Sequence, residues 1–175
     1  GGTAKGMGSV QIVRKTSGNR DTIDYVYGSD FKGNIWRYDL SGINVGMTNW
    51  PSSATLVYKT PTGRPITAEI KIGDAPVSTK TTGGKMIYFG TGSLVATTDP
   101  ADTTVQALYG IYDNLLAGSN STPYVAETEL ESSTISMALN ADKRTISTAA
   151  VPVWYMVAGG TASEPAKKGW ILPLS

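Results

Sequence analysis

The stretch Asp24-Tyr-Val-Tyr-Gly-Ser-Asp-Phe-Lys-Gly-Asn-Ile-Trp-Arg-Tyr-Asp-Leu40 carries the main structural signal of this chain. Two runs rich in aromatic and aliphatic residues flank a turn at Lys32-Gly-Asn34, where Gly and Asn tolerate a positive φ. Successive side chains of a strand point to opposite faces, so Ile35, Arg37 and Asp39 are predicted to share one face. The pattern predicts a β-hairpin.

Strand patterns of the same kind continue along the chain, whereas helical patterns are weak. Residues 105–116 have apolar residues at helix-like steps, but Tyr109-Gly-Ile-Tyr112 suits a strand better, and residues 141–144 could form one helical turn. The other predicted strands are 9–14, 55–58, 65–72, 85–90, 107–113, 134–139, 144–148, 152–157 and 169–172. We therefore predict an all-β fold of antiparallel sheets with up to four strands each.

The hairpin recurs as a degenerate repeat of an apolar strand, a Gly-containing turn and a second aromatic strand. The three copies are residues 25–39, 86–113 and 153–172. Periodic hairpins with Gly and aromatic punctuation indicate propeller blades, of which a complete propeller has about four to eight. The spacing accommodates about three, so residues 1–175 are predicted to form a partial β-propeller and to be a fragment of a larger protein.

The repeat pattern predicts structural roles for two sets of strand residues. Asp39 and Asp113 occupy the same repeat position and are predicted to accept hydrogen bonds from turn amides. The strand aromatics are predicted to lie mostly in the core between blades. They are Trp36, Tyr38, Tyr88, Tyr109, Tyr112, Trp154 and Trp170.

The composition restricts the possible chemistry. The 175 residues include no Cys and no His, which excludes disulfides, Cys/His zinc sites, thiolate nucleophiles and a Ser–His–Asp relay. The formal net charge is +1, so there is no general electrostatic reason to bind nucleic acid or acidic membranes. No stretch approaches the roughly 20 apolar residues of a membrane-spanning helix. We therefore expect a binding module and not an enzyme.

Several segments together resemble a known family. They look like the C-terminal propeller region of the PilY/PilC proteins, the type IV pilus biogenesis and tip-adhesin family, and residues 24–40 are the most specific of them. The segments are Lys5-Gly-Met-Gly8, residues 24–40, Pro65-Ile-Thr67, Lys85-Met-Ile-Tyr-Phe-Gly-Thr-Gly92, Gln106-Ala-Leu-Tyr-Gly-Ile-Tyr-Asp113 and Gly169-Trp-Ile-Leu-Pro-Leu174.

The resemblance implies a secreted protein whose propeller supports pilus extension, surface adhesion and twitching motility. The implied partners are the remaining blades of the parent protein, minor pilins, and a host or abiotic surface. The implied location is extracytoplasmic, at the pilus tip, the outer-membrane surface or the periplasm of a Gram-negative bacterium.

The resemblance also implies a calcium loop within residues 16–24. Such a loop places oxygen ligands on alternate residues, because Ca²⁺ takes about six to eight oxygens. Here Gly18 and Arg20 stand at ligand positions, so the loop looks degenerate and no cofactor is expected. A shifted calcium cluster remains open as an alternative. Its members would be Asn19, Asp21 and Asp24.

Few other residues are candidates for a site. Glu127, Glu129 and Glu131 are predicted to form a solvated acidic face of an extended strand. Trp50, in the long loop 43–53, is the candidate partner-contact residue, and loop 115–130 is predicted to offer a second contact surface.

Two other functions fit parts of the pattern. A quinoprotein-like propeller enzyme would share the hairpin of residues 33–39, but it needs a closed ring, an Asp base and bound Ca²⁺. A carbohydrate-binding propeller would need repeated exposed aromatics, and Trp50 alone is a fair candidate. The pilus-associated module is the preferred interpretation.

Overall fold

The computed structural model describes residues 6–15, 22–43, 50–78, 81, 83–93, 101–137, 144–147, 154–161 and 164–174. Within these residues the secondary structure consists of β-strands and short 3-10 helices, and the all-β prediction is confirmed. None of the described residues belongs to a helix long and apolar enough to cross a membrane.

The first four strands form one antiparallel sheet, sheet 1, in chain order. They are β1 (Met7–Arg14), β2 (Ile23–Asp30), β3 (Asn34–Asp39) and β4 (Thr55–Lys59). The predicted hairpin is β2–β3, in which Val26 lies opposite Tyr38 and Tyr25 opposite Asp39. The pairing of adjacent strands within residues 25–40 is therefore confirmed.

The β2–β3 turn is held by the Asp30 carboxylate. Its Oδ1 accepts hydrogen bonds from the amides of Lys32 (2.9 Å) and Asn34 (3.0 Å), and its Oδ2 accepts one from Trp36 Nε1 (3.1 Å). Partial burial would raise the pKa of Asp30, but these hydrogen bonds outweigh it and hold the pKa below its usual value. Gly33 takes a φ of 81°, as the Lys-Gly-Asn turn requires.

Gly33→Ala should destabilise the chain, whereas Gly42→Ala should not. A Cβ at Gly33 would be strained at its positive φ and would clash with the Thr60 side chain, while a Cβ at Gly42 meets open space. We expect the free energy of unfolding to fall by about 1–3 kcal/mol for Gly33→Ala and to change by less than about 0.5 kcal/mol for Gly42→Ala. Urea titration followed by Trp fluorescence measures both, and equal effects would contradict the turn geometry.

The remaining long sheet, sheet 2, has five strands, where up to four were predicted. Its strands are β5 (Lys71–Asp74), β6 (Lys85–Gly90), β7 (Ala107–Asp113), β8 (Glu131–Ser132) and β11 (Gly169–Pro173). Their order is β5-β6-β7-β11-β8, and the β8–β11 pair is parallel, an exception to the antiparallel pairing that was predicted. A separate ribbon pairs β9 (Thr134–Met137) with β10 (Arg144–Ser147).

The second repeat copy pairs as predicted, but the third does not form its own hairpin. β6 and β7 are adjacent antiparallel strands. In the third copy, Trp154–Met156 is a 3-10 helix, and β11 pairs with β7 instead. The Trp154 ring lies 5.3 Å from the ring of Tyr112 and is buried with it, so this segment covers the outer face of sheet 2 and does not extend a ladder.

The predicted strand 65–72 was also wrong for most of its length. Ile66 and Ile70 are both fully buried, but Ala68, which a regular strand would place on the same face between them, is exposed. The Gly92 amide donates to the Pro65 carbonyl (2.9 Å), and side chains supply further bonds: Ser9 Oγ accepts a hydrogen bond from the Ile70 amide (2.9 Å), and Thr67 Oγ1 donates to the Gly92 carbonyl (2.7 Å). Regular pairing begins at Lys71.

The helical turn predicted for residues 141–144 lies largely outside the described residues. Arg144, its last residue, begins β10. Residues 138–139 of the predicted strand 134–139 and residue 148 of the predicted strand 144–148 are also outside the described part, whereas β9 and β10 cover the rest.

The main core lies between the inner faces of the two long sheets. Phe89 stacks on Tyr109 with ring centroids 4.9 Å apart, and Tyr58 packs against Tyr109 at 5.6 Å. Of the seven aromatics predicted for the core, Tyr109, Tyr112 and Trp154 are buried. Tyr88 is exposed, and the others are half-buried. Tyr27 and Tyr58 are fully buried core residues that the prediction omitted.

Candidate functional site

A buried ion pair joins the two sheets at one end. Arg37 of β3 donates through Nη1 to Asp113 Oδ1 of β7, and both side chains are about 2% exposed or less. Tyr27 Oη donates to Asp113 Oδ2 at 2.9 Å, and the Leu115 amide donates to Oδ1 at 3.0 Å. Both carboxylate oxygens are therefore occupied by donors.

The electrostatics of this cluster favour a fixed structural contact over acid–base chemistry. Burial, together with the neighbouring Asp113 carboxylate, raises the pKa of the Tyr27 hydroxyl far above its usual value, so Tyr27 stays a neutral donor. Arg37 Nε is buried with no hydrogen-bond partner among the described residues. The cluster thus fixes the relative position of β2, β3 and β7.

The same ion pair shapes the loop that follows β7. Arg37 Nη2 donates to the carbonyl of Leu116, and Asn114 Oδ1 accepts a hydrogen bond from the Leu116 amide at 3.0 Å. Between them, Leu115 has a φ of 65°, the left-handed region that non-Gly residues rarely adopt. The Leu116 side chain is 68% exposed. A buried charge pair and a strained backbone therefore present an apolar side chain to solvent.

Three loops leave the two sheets at this same end, which we call the loop end. Arg37 near the end of β3 pairs with Thr55 at the start of β4, and Lys85 at the start of β6 lies opposite both Asp74 and Asp113. Because Arg37 of sheet 1 also contacts Asp113 of sheet 2, these strand ends of the two sheets lie next to each other. The loops between β3 and β4, between β5 and β6, and after β7 therefore share one end of the molecule.

Each loop carries a large exposed apolar side chain. Trp50 is 63% exposed in the β3–β4 loop, and Val77 is 89% exposed in the β5–β6 loop. Leu116 supplies the third, from the loop after β7. The structure thus places Trp50, the sequence candidate for partner contact, at an exposed position on the loop end. Val77 and Leu116 were not singled out from the sequence.

Segment 115–130, predicted as a contact loop, is only partly one. Residues 116–121 are exposed, but Val125 and Leu130 are buried in the core. The Val125 amide donates to the Val57 carbonyl at 2.9 Å, so this part lies along β4. The available contact surface is therefore the first third of the segment.

The alternative calcium cluster falls mostly outside the described residues. Asn19 and Asp21 are not described, and Asp24 lies near the start of β2, where its carbonyl accepts the Leu40 amide at 2.7 Å. The described part of the chain contains no group of three or more acidic side chains arranged to hold a metal ion. The expectation that residues 16–24 hold no cofactor stays a prediction, and the shifted calcium cluster stays its alternative.

The three glutamates do not form the predicted acidic strand face. Glu127 and Glu129 lie in a 3-10 helix, and Glu131 begins β8. Arg64 pairs with Glu127 at 3.2 Å, and Lys168 pairs with Glu129 at 3.0 Å. The segment turns here because it must pass from the edge of sheet 1 to the edge of sheet 2.

Asp39 and Asp113 do accept hydrogen bonds from turn amides, as predicted. Asp39 Oδ1 accepts the Ser41 amide at 2.9 Å, and Asp113 Oδ1 accepts the Leu115 amide, in each case two residues onward. The additional role of Asp113 as the partner of Arg37 was missed. A signal was present in the sequence, since Arg37 shares a strand face with the apolar Ile35 and therefore needs a buried counter-charge.

The outer face of sheet 1 carries an apolar patch. In register, Ile12 lies opposite Val26 and Val26 opposite Tyr38. Val10 of β1 lies opposite Gly28 of β2, and Gly28 lies opposite Trp36 of β3. Val10 and Ile12 are each nearly half exposed. This outer patch (Val10, Ile12, Val26, Trp36 and Tyr38) faces away from sheet 2.

Comparison with known proteins agrees with this architecture. The family model described as the PilY1 beta-propeller domain matches residues 1–150. No solved structure matches the chain at a significant level.

Three curated relatives belong to the same group. The chain is 30% identical over 119 residues to the type IV pilus biogenesis factor PilY1 homolog of Xylella fastidiosa (62% of this chain, 8% of the relative). It is 29% identical to type IV pilus biogenesis factor PilY1 of Pseudomonas aeruginosa PAO1 (98% and 16%) and 30% identical to that of strain UCBPP-PA14 (99% and 18%). The chain thus spans less than a fifth of the length of these relatives. The family match over most of its residues shows that the chain belongs to the PilY1 β-propeller domain family.

Proposed function

We propose that this chain is a partial-propeller module of a type IV pilus biogenesis factor and that it works through protein–protein contacts. In this role it supports pilus assembly and extension, and through them surface adhesion and twitching motility. The observation that carries the proposal is the match to the PilY1 beta-propeller domain family. The curated relatives of the chain are named as type IV pilus biogenesis factors. The location that fits this role is extracytoplasmic.

The outer patch of sheet 1 supports contact with further blades of a parent protein. Exposed apolar surface that is contiguous across three strands is typical of a face that another element covers. The core between sheets 1 and 2 is built from the same kinds of residue, namely aromatic and β-branched side chains. A preceding blade is therefore the partner proposed for this patch.

The loop end supports contact with a pilus protein. Trp and other large apolar side chains at exposed positions are the residue types that dominate binding energy at interfaces. Minor pilins are the partners proposed for this surface, because the relatives are pilus biogenesis factors.

Catalysis is not part of the proposal. Asp39 is the residue that a quinone-dependent mechanism would need as its base, and its Oδ1 already accepts hydrogen bonds from the amide and hydroxyl of Ser41. Dye reduction by the purified chain with a quinone cofactor, abolished by Asp39→Asn, would overturn this part.

Trp50→Ala in the full-length parent protein should weaken pilus-dependent attachment. Removing an interface Trp commonly weakens binding by about tenfold or more. Attachment and twitching are measured in cells whose chromosomal copy is replaced by the variant. The matched control is Val105→Ala, which removes an exposed apolar side chain at the opposite end of sheet 2. Attachment and motility equal to wild type in Trp50→Ala cells would remove Trp50 from the contact surface.

A further inference from the structure

The segment after β7 is held in one shape by more interactions than a surface turn requires. Asp113 Oδ1 accepts the Leu115 amide at 3.0 Å, and Asn114 Oδ1 accepts the Leu116 amide at 3.0 Å. Arg37, which is buried against Asp113, donates to the Leu116 carbonyl. Leu115 and Leu116 are thus tied to the core cluster, and the Asn114 side chain closes the turn between them.

These ties act against the local backbone preference. Leu115 at a φ of 65° is in a region that is unfavourable for residues with a Cβ, and non-Gly residues keep it where surrounding contacts impose it. Strain of this kind clusters where a chain must present a group in a fixed geometry. Here the group presented is the exposed Leu116 side chain.

Within the described part of the chain, no packing contact accounts for the exposure of Leu116. The neighbouring Leu115 is half-buried, while Leu116 is 68% exposed on the same end as Trp50 and Val77. A loop whose backbone is fixed in advance loses less conformational entropy on binding, so the hydrogen bonds to Leu115 and Leu116 raise affinity for a partner.

A protein is the partner that this surface fits best. The chain's formal net charge of +1 gives no attraction to anionic lipid, which would otherwise favour a membrane surface. One Trp, one Val and one Leu from separate loops match an apolar pocket of a protein partner.

We propose that residues 113–118 form a preorganised docking loop that inserts Leu116 into an apolar pocket of a pilus protein. Arg37 and Asp113 are its positioning residues, and Leu116 is its contact residue. The proposal rests on the proposed function, since it takes a pilus protein as the partner.

The test measures binding of the chain to purified soluble domains of the minor pilins by biolayer interferometry. Leu116→Ala removes the contact side chain. Leu115→Gly and Leu115→Asn both remove the half-buried Leu side chain. Asn tolerates the left-handed region and still restricts the backbone through its own side chain, whereas Gly leaves the backbone free to adopt other conformations. Val105→Ala is the control for an exposed apolar residue elsewhere, and thermal melting confirms that each variant is folded.

Binding should fall about tenfold or more for Leu116→Ala. It should fall several-fold more for Leu115→Gly than for Leu115→Asn, at similar melting temperatures, and should be unchanged for Val105→Ala. Wild-type binding that neither Leu116→Ala nor Leu115→Gly weakens would overturn the docking loop and leave the proposed function standing.

Two other outcomes are decisive. If the wild-type chain binds none of the minor pilins, the partner class is wrong for both proposals. If it binds vesicles of phosphatidylglycerol and phosphatidylethanolamine in a Leu116-dependent manner and binds no pilin, the loop is a membrane contact and the protein-docking proposal fails.

Discussion

Arg37→Met is expected to lower the free energy of unfolding by about 3–5 kcal/mol, the cost of leaving one member of a buried ion pair without its partner. The Asp113 carboxylate would keep the Tyr27 hydroxyl and the Leu115 amide as donors, but it would lose its counter-charge in a site that excludes water. The loss should appear as a lower urea midpoint at unchanged slope.

The control for this prediction is a double-mutant cycle. Asp113→Asn removes the negative charge and nearly preserves the shape, so Arg37→Met combined with Asp113→Asn should be less destabilised than the sum of the two single variants. The coupling should be at least about 1–3 kcal/mol, as measured for residues that contact each other. Additive effects would show that the pair does not join the sheets as the structure shows.

Phe89→Ala should lower the free energy of unfolding by about 3–5 kcal/mol, the usual effect of truncating a buried Phe. Phe89 is 5% exposed and stacks on Tyr109 at an angle of 8° between the ring planes. Its removal would open a cavity between the sheets at the centre of the aromatic core.

Tyr88→Ala is the matched control, because it removes an aromatic side chain from the adjacent position of the same strand. Tyr88 points to the outer face of sheet 2 and is 40% exposed, against 5% for Phe89, so its removal should lower stability by less than about 1 kcal/mol. If the two variants were equally destabilised in the isolated chain, the assignment of the faces of β6 would be wrong.

Strand identity could be predicted from the sequence to a large extent. The hairpin β2–β3 and strands β4, β6, β7 and β11 are marked by alternation or by short aromatic and β-branched runs, and each lies where predicted. Residues 65–72 alternate in sequence as a strand would, yet regular pairing begins only at Lys71. Residues 65–72 are anchored through Ile66, Ile70 and side-chain hydrogen bonds, and the Trp154 segment is fixed by packing on Tyr112. Such tertiary contacts leave no local pattern.

The repeat predicted which strands pair but not which faces they present. Its alignment places Ile35 with Tyr109 and Arg37 with Ile111. If one blade were rotated onto the next, one member of each pair would face the shared core and the other would face away. All four residues are buried between the two sheets or at their junction. The two copies therefore turn equivalent strand faces toward each other, an arrangement that the repeat pattern alone does not specify.

The candidate site was predicted only in part, for a related reason. The exposure of Trp50 could be predicted, because Asn49 and Pro51 on either side of it mark a loop in the sequence. The ion pair between Arg37 and Asp113 joins residues 76 positions apart on different sheets, so its geometry depends on how the sheets pack. The left-handed conformation of Leu115 accompanies hydrogen bonds from that ion pair to Leu115 and Leu116 and cannot be read from its residue type.

Site-specific photo-cross-linking tests the proposed role most directly. A benzophenone side chain is placed at position 116 of the full-length parent protein in piliated cells, and at position 105 as the control. We predict a cross-link from position 116 to a pilus protein and none from position 105. If position 116 gives no cross-link to any pilus protein while the variant is made at wild-type level and supports normal piliation, the loop end is not the surface through which this module acts.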